Sequence, residues 1–280
     1  MHVRTIVVIG ASGGIGSAMA EELRNHYPEA RLVLTARSPD RYLPLRGEWL
    51  PLDLENEQSI TAAAAETGEA DIVCVATGML HEGDLIRPEK TWNAIDPHAM
   101  ARSFAVNAIG PALIMKHFLP LLSRERRSVM ALLSARVGSI SDNRLGGWYS
   151  YRASKAALNQ LIRTASVELA RKNSDAVCVG LHPGTVATPL SAPLAAASAL
   201  SRANRLHDWS PFFSSFNPKT AARFSTGRAG FPSDECRRFQ NPQESTKTAA
   251  AVIARAANRF KIRMAPGSVK KLRARAASAA

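Results

Sequence analysis

"GASGGIG", residues 10–16, follows the apolar run "TIVVI" at 5–9 and precedes a stretch with a helical pattern. Its glycines Gly10, Gly14 and Gly16 have the spacing G-x-x-x-G-x-G. A glycine at the turn lets the chain reverse without Cβ strain, and one at the helix start lets a phosphate approach backbone N–H groups. A third lets the helix pack close to the strand. The stretch predicts either a phosphate-binding turn or a tight strand-to-helix turn that binds nothing.

Short apolar runs alternate with helical patterns through the first 190 residues. The runs lie at 5–9, 31–36, 71–76, 128–134 and 176–182, and the candidate helices at about 14–26, 57–66, 98–122 and 148–172. Near-continuous apolar runs are typical of strands buried on both faces of a parallel sheet. The pattern therefore predicts the α/β class, with a doubly wound parallel sheet in three α/β/α layers. Ligands bind beyond the carboxyl ends of such strands, so the residues after each run are the candidates for a site.

The net charge of +13 is concentrated in the last third of the chain. Residues 1–190 hold 20 Lys and Arg against 19 Asp and Glu, whereas residues 191–280 hold 16 against 4. Val, Ile, Leu and Met number 52 in the first segment and only 9 in the second. This composition predicts a boundary near residue 190, between a folded domain at 1–190 and a basic, aliphatic-poor segment at 191–280.

The cysteines and the apolar segments favour a reduced, cytoplasmic protein. Cys74, Cys178 and Cys236 have no metal-like spacing, and the first two lie in apolar runs, so core thiols are expected and no metal site is predicted. The apolar part of the N-terminus is too short for a secretory signal, and we expect no segment that spans a bilayer.

The end of the second run indicates which dinucleotide is preferred. An acidic residue at this position holds the ribose hydroxyls of NAD, whereas an arginine nearby suits the 2′-phosphate of NADP. Here Ala36 stands where the acid would be, and Arg37 follows it. The sequence favours NADP(H) over NAD(H), unless Arg37 is only a solvated surface residue.

Tyr151 and Lys155 are four residues apart at the start of a helical pattern, so they share one face of that helix. Such a pair also arises by accident as a surface contact. Ser134 lies at the carboxyl end of an apolar run, at the edge of the sheet where the glycine turn also lies. Reduction of a carbonyl needs a proton donor, and an ammonium group nearby could lower the pKa of a phenol by about 1–3 units. Ser134 could then donate a hydrogen bond to the carbonyl oxygen.

These motifs together resemble the short-chain dehydrogenase/reductase family in its single-domain form, which has the Rossmann fold. The resemblance is carried by "GASGGIG" (10–16), "LDL" (52–54), "VNAIG" around Asn107, Ser134, Tyr151 with Lys155, and "HPGTVATP" (182–189). The stretches "ATGML" and "SARVGSI" resemble sequences of the C-factor-like branch of the family.

The resemblance implies a role for each matching position. Tyr151 would be the acid/base, Lys155 would hold the nicotinamide ribose and lower the tyrosine's pKa, and Ser134 would orient the substrate. Asn107 would anchor a water molecule in a proton relay, and Asp53 would accept from the adenine amino group. The full set implied to bind cofactor is Gly10, Ser12, Gly14, Ile15, Gly16, Arg37, Asp53, Leu54, Gly78, Tyr151, Lys155, Pro183, Gly184, Val186 and Thr188.

Two stretches depart from the family pattern. The family usually has Asn-Asn-Ala-Gly after the fourth strand, but residues 75–78 are Val-Ala-Thr-Gly, so the adenine side is looser or is braced differently. Residues 191–280 offer no convincing seventh strand. That segment is a disordered basic tail, a diverged lid, or not the family's native ending, and its best candidate helix is 244–264. Nucleic-acid binding has only the basic charge in its favour.

The leading hypothesis is an NADPH-dependent reductase of a carbonyl, or the reverse oxidation of a secondary alcohol. The alternative is an NADP(H)-binding signalling or interaction protein whose catalytic groups are idle. A longer, epimerase-type relative also has Tyr-x-x-x-Lys, but the glycine spacing argues against it. The resemblance implies a homodimer formed by the helices at 98–122 and 148–172, and a tetramer is less expected because the chain's end is altered.

Overall fold

The computed structural model describes residues 3–38, 45–83 and 85–182. Six parallel strands form one sheet in the order β3-β2-β1-β4-β5-β6. The strands are β1 (Thr5–Ile9), β2 (Arg31–Ala36), β3 (Glu48–Pro51), β4 (Ile72–Val75), β5 (Ser128–Leu133) and β6 (Ala176–Leu181). The strand order reverses between β1 and β4, where Ile6 lies beside Ile72. The predicted doubly wound sheet is confirmed. The glycine turn directly follows β1, so it lies at the point where the strand order reverses.

Strand β3 is a correction to the five strands predicted from apolar runs. Its sequence "EWLP" has three partly buried residues and one exposed residue, and it pairs only with β2 at the edge of the sheet. An edge strand needs no continuous apolar run, and proline is tolerated there, so hydrophobicity alone does not reveal this strand.

The helices are α1 (Gly14–His26), α2 (Glu57–Thr67), α3 (Pro97–Phe104), α4 (Gly110–Phe118) and α5 (Tyr149–Lys172). The helix predicted at 98–122 is therefore not continuous, because a π-helical turn at Ala105–Ile109 separates α3 from α4 and a 3₁₀ turn at Leu119–Leu121 follows α4. The helices predicted at 14–26, 57–66 and 148–172 agree with α1, α2 and α5 to within a residue.

The core is built on both faces of the sheet. On one face, Ile60 of α2, Phe118 of α4 and Leu158 of α5 pack in one cluster with Val7 and Val73. The alternate residues of β1 and β2 must point to the other face because strand side chains alternate. Helix α1, which contacts β1 and β2, buries its own apolar residues, Met19, Ala20 and Leu23. Continuous burial on both faces explains why the central strands are largely apolar.

The stretch Pro97–Leu121 is 25 residues long with a mean hydropathy of 1.3, enough by length and composition to cross a membrane. This corrects the expectation that no such segment exists. Ile114 and Phe118 of this stretch are fully buried in the core cluster. The stretch is thus a core element of the fold, and its apolar character comes from packing on the sheet.

The buried thiols match the expectation from the sequence. Cys74 and Cys178 are free and buried, and burial raises the pKa of each thiol to about 12. A thiol that stays protonated near neutral pH is a poor nucleophile. Cys236, the proposed boundary at residue 190 and the candidate helix at 244–264 lie outside the described residues.

Candidate active site

The glycine turn joins β1 to α1 at the carboxyl ends of the strands. Gly10 has φ +81°, and a Cβ on Gly16 would lie 2.2 Å from the carbonyl oxygen of Gly10. Helix α1 begins at Gly14 after the N-cap Gly13, which makes no side-chain capping bond, and Ser12, Gly13 and Gly14 are exposed. Ile15 is half-buried. The first N–H groups of a helix need acceptors, so this glycine-lined, uncapped turn fits a cofactor pyrophosphate.

Thr77 braces the glycine turn where the family usually has amide side chains. A Cβ on Gly10 would lie 2.9 Å from Cγ2 of Thr77, and the N–H of Ala76 donates to the carbonyl of Ile9 at 2.8 Å. The departure at 75–78 thus leaves the turn packed against a methyl group. Close packing of backbone on a methyl explains why glycine is required at residue 10.

The end of β2 presents an exposed cation. Arg37 is exposed directly after Ala36, and its charge contributes to lowering the pKa of Glu82. Arg102 of α3 donates to Glu82 at 3.1 Å and also pairs with Glu55, which raises the pKa of its guanidinium. Arg37 is thus an exposed cation at the end of β2, near a carboxylate that Arg102 also contacts, and its role at a 2′-phosphate stays a prediction.

Asp53 and Leu54 follow β3 at the same edge of the sheet. The Asp53 carboxylate accepts from the N–H of Glu55 at 3.1 Å, and its own N–H donates to Ser59 Oγ at 2.9 Å. Leu54 packs on α4, where a Cβ on Gly110 would lie 2.8 Å from the leucine Cβ. Both residues thus have structural contacts, and their implied roles at adenine stay predictions.

Asn107 lies at the centre of the π-helical turn and is fully buried. Its side chain accepts from the N–H of Met79 and donates to the carbonyl of Met79, both at 2.8 Å, and it also donates to Ser154 Oγ at 3.2 Å. The side chain therefore ties the segment after β4 to helix α5. Pro111 has no N–H to give the Asn107 carbonyl the usual i→i−4 bond, which is consistent with the π geometry at this point.

Ser134 follows β5 and is held from two sides. Its N–H donates to the carbonyl of Leu181 at 2.7 Å, and its hydroxyl donates to Asn159 Oδ1 at 2.5 Å. The single hydroxyl proton is thus committed to Asn159, so in this arrangement Ser134 offers lone pairs and not the proton that the sequence analysis assigned to the substrate carbonyl. Asn159 is a site residue that sequence reasoning missed, although it lies four residues after Lys155 on the same helix face.

Lys155 is buried beside the catalytic edge of the sheet. Its amine donates to the carbonyl of Leu133 at 3.0 Å, one residue before Ser134. A Cβ on Gly78 would lie 3.3 Å from the amine and 3.5 Å from Asn107 Oδ1, so both side chains pack against this glycine. Burial lowers the pKa of Lys155 to about 8. The structure thus brings Gly78, Asn107, Ser134 and Lys155 together.

Tyr151 lies in the first turn of α5, one helical turn before Lys155. Its ring meets that of Trp148 edge to face, with 6.3 Å between the centroids. Burial raises the pKa of Tyr151 to about 12, opposite to the lowering predicted from the Tyr-x-x-x-Lys spacing. The reason is that removal of the phenolate from water is the dominant effect, while the amine of Lys155 is hydrogen-bonded to Leu133.

The last described residue, His182, borders the same edge after β6. Its Nδ1 accepts from the N–H of Arg136 at 3.4 Å, and burial together with the charge of Arg136 lowers its pKa. Pro183, Gly184, Val186 and Thr188, which the resemblance assigns to cofactor binding, lie outside the described residues. Among residues 3–38, 45–83 and 85–182, no group of three or more His, Cys, Asp or Glu could hold a metal ion.

Comparison with known proteins decides the family. The family model described as short chain dehydrogenase matches residues 4–199, well over half of the chain. The chain belongs to the short-chain dehydrogenase family. Relatives and structural neighbours of this short-chain dehydrogenase are named as dehydrogenases and reductases, so it is an oxidoreductase by family, with a fold that binds a nicotinamide cofactor.

Three similar proteins illustrate the relationship. C-signal of Myxococcus xanthus is 40% identical over 99 residues, 35% of this chain and 58% of the relative, which agrees with the resemblance to the C-factor-like branch. A short-chain dehydrogenase/reductase of Burkholderia multivorans with bound NADP has a TM-score of 0.59 at 30% identity, covering 68% of this chain and 83% of the other. The NADPH-bound carbonyl reductase from chicken fatty liver has a TM-score of 0.58 at 26% identity, covering 68% and 79%.

Proposed function

We propose that this short-chain dehydrogenase is an NADPH-dependent reductase that converts a small or medium-sized apolar carbonyl into an alcohol, or runs the reverse oxidation. The observation that carries the proposal is the convergence of Asn107, Ser134 and Lys155 at the sheet edge that also holds the glycine turn. Polar side chains gathered beside an uncapped helix start at a topological switch point are typical of a dinucleotide enzyme.

Tyr151 is proposed as the proton donor of the reduction. A bound nicotinamide cofactor supplies the hydride. The Tyr151 hydroxyl gives its proton to the carbonyl oxygen as the C–H bond forms, and takes a proton back in the oxidation direction. Burial raises the pKa of Tyr151, so its hydroxyl is protonated and able to donate near neutral pH, and Lys155 on the same helix face is proposed to hold the ribose of the cofactor.

Ser134 is proposed to accept a hydrogen bond during the reaction, because its own proton is held by Asn159. Its oxygen lone pairs can accept a hydrogen bond from the hydroxyl of an alcohol substrate or of Tyr151. Asn107 is proposed to contribute its backbone carbonyl, which lacks a donor from Pro111, as the anchor of a water molecule through which the proton is replaced.

The activity test measures NADPH oxidation against a panel of carbonyl compounds. Tyr151→Phe removes the proton donor and leaves the ring, so we expect a loss of about 10²–10⁴-fold in kcat with little change in cofactor binding. Binding of NADPH without turnover over a broad panel would instead support the idle-binder alternative, which the named relatives do not favour.

The preference for NADP(H) is proposed from Arg37, which is exposed beyond Ala36, and is supported by the NADP- and NADPH-bound neighbours. Arg37→Asp should lower the ratio of kcat/KM for NADPH to that for NADH by about 10–100-fold, since a charge-assisted bond is lost. The matched control is Arg124→Asp. Arg124 is an exposed arginine just before β5, at the amino-terminal ends of the strands. Equal use of NADH and NADPH by the unaltered protein would refute the preference.

The oligomeric state and the compartment also stay proposals. We propose a homodimer formed by the α3–α4 region and α5, where Ile109 is 56% exposed, and a cytoplasmic location. Light scattering of the purified protein checks the dimer. The basic segment 191–280 is proposed as a region separate from the 1–190 domain, and no nucleic-acid or membrane partner is proposed.

A further inference from the structure

Glu89 is a buried carboxylate that no part of the reaction scheme uses. It lies between β4 and α3, and its residue is only 5% exposed. Among residues 3–38, 45–83 and 85–182, no lysine, arginine or histidine forms an ion pair with it. A buried carboxylate is costly unless hydrogen-bond donors hold its charge, so its partners identify its task.

Those partners all lie at the start of helix α5. The carboxylate accepts from the N–H of Ser150 at 3.2 and 3.3 Å, and the Ser150 hydroxyl also donates to it. The Glu89 main-chain carbonyl accepts from the N–H of Trp148 at 2.5 Å. One loop residue thus accepts from three donors at a helix N-terminus, namely the N–H groups of Trp148 and Ser150 and the Ser150 hydroxyl, and a negative charge there is also favoured by the helix dipole.

The chain enters α5 through three consecutive residues with positive φ. Gly146 and Gly147 both have φ +65°, and Trp148 has φ +54°, the one non-glycine residue with positive φ in the described part of the chain. Trp148 is the N-cap and makes no side-chain capping bond. A tryptophan in the left-handed region is strained, so contacts from outside the segment must fix this geometry.

We infer that Glu89 is a positioning residue for Tyr151, clamping the first turn of α5 so that the phenol is fixed relative to Ser134 and Lys155. Tyr151 directly follows Ser150, whose N–H and hydroxyl Glu89 holds, and its ring packs on Trp148, whose N–H Glu89 also holds. This inference rests on the proposed role of Tyr151 as proton donor.

Three variants test the clamp. Glu89→Ala removes it, whereas Glu89→Gln keeps an acceptor for the Ser150 N–H. Asp96→Ala is the matched control, because Asp96 is a carboxylate that caps α3 by accepting from Ala99 N–H at 2.7 Å and lies outside the site. We expect Glu89→Ala to lower kcat about 10–100-fold with the NADPH dissociation constant within about threefold of the unaltered protein, because misplacement by about 1 Å costs that much. Glu89→Gln should recover most of kcat, and Asp96→Ala should keep it.

Amide hydrogen exchange gives a readout that does not depend on turnover. In Glu89→Ala, exchange at residues 149–154 should accelerate at least about tenfold, while the α1 and β5 amides remain protected as before. The inference is overturned if exchange there is unchanged, if Glu89→Ala keeps full kcat, or if Glu89→Gln is as impaired as Glu89→Ala. Absence of turnover in the unaltered protein would count against the proposed function alone, since the exchange result would still show whether the clamp exists.

Discussion

Replacing Gly16 by alanine tests whether the glycine turn binds the cofactor through its backbone. A Cβ at residue 16 would lie 2.2 Å from the Gly10 carbonyl oxygen and 2.9 Å from its carbon, closer than the 3.0 Å that real Cβ atoms respect. Both atoms belong to backbone, so no side chain can rotate to relieve the contact. The start of α1 must therefore move away from the turn by about 1 Å, because close-packed interiors leave no slack.

This displacement sets the size of the expected effect. The N–H groups of residues 14–16 move with the helix, away from the place where they would meet a pyrophosphate. A misplacement of about 1 Å typically costs about 100-fold, equivalent to about 2.7 kcal/mol, so the dissociation constant of NADPH should rise by that factor. The overpacked turn should also lose about 1–3 kcal/mol of folding free energy.

The assay is a fluorescence titration of NADPH against the folded variant, with thermal unfolding measured in parallel. Gly13→Ala is the control in the same turn, because its Cβ would lie 3.4 Å from the same oxygen and its φ of −78° suits alanine. That control should bind NADPH within about threefold of the unaltered protein, as conformationally tolerated surface changes do. A folded Gly16→Ala protein that binds NADPH as tightly as Gly13→Ala would refute the assignment of this turn to the cofactor.

Two further predictions concern the catalytic edge. Asn159→Leu removes the acceptor of the Ser134 hydroxyl and should lower kcat about tenfold with NADPH binding unchanged. Asn159→Asp keeps an acceptor and should retain most of the activity. Equal kcat values for the two variants would contradict this prediction. Lys155→Met should abolish activity yet raise the free energy of unfolding at pH 7 by about 1–3 kcal/mol, because the buried ammonium is disfavoured in the folded state. That gain should shrink between pH 8 and 10.5, where the unfolded lysine binds the proton and the folded one does not, and urea unfolding at pH 7 and 10 measures it.

The sheet was largely predictable because its inner strands are buried on both faces. The inner strands β1, β2, β4 and β5 each have a near-continuous apolar run, and a run of this kind leaves few alternatives to a parallel sheet. β6 has a similar run although it lies at the edge of the described sheet and is only partly buried. β3 lacked that signal because an edge strand is only half covered. Alternation of burial along β3 would have been a weak indication in four residues.

The break in the helix at 98–122 had a local signal that periodicity conceals. Pro111 lies four residues after Asn107, and a proline inside a helical pattern removes the bond to the residue four positions earlier. The apolar pattern continues through the break because α3 packs on α5 and α4 packs on the core of the sheet. Hydrophobic spacing thus predicts which face is buried, whereas the missing donor predicts where the helix is distorted.

The spacing along α5 predicts which side chains share a face, but not what each of them contacts. Tyr151, Lys155 and Asn159 follow at intervals of four, so their alignment is a local property of the helix. Their electrostatics depend on depth, which is set by the close approach of Gly78 to the Lys155 amine and by the Leu133 carbonyl that receives its hydrogen bond. Burial shifts the pKa of the phenol upward and that of the amine downward, so each group is biased toward its neutral form. A four-residue motif contains no measure of burial, and the direction of the Tyr151 shift therefore follows only from the packed structure.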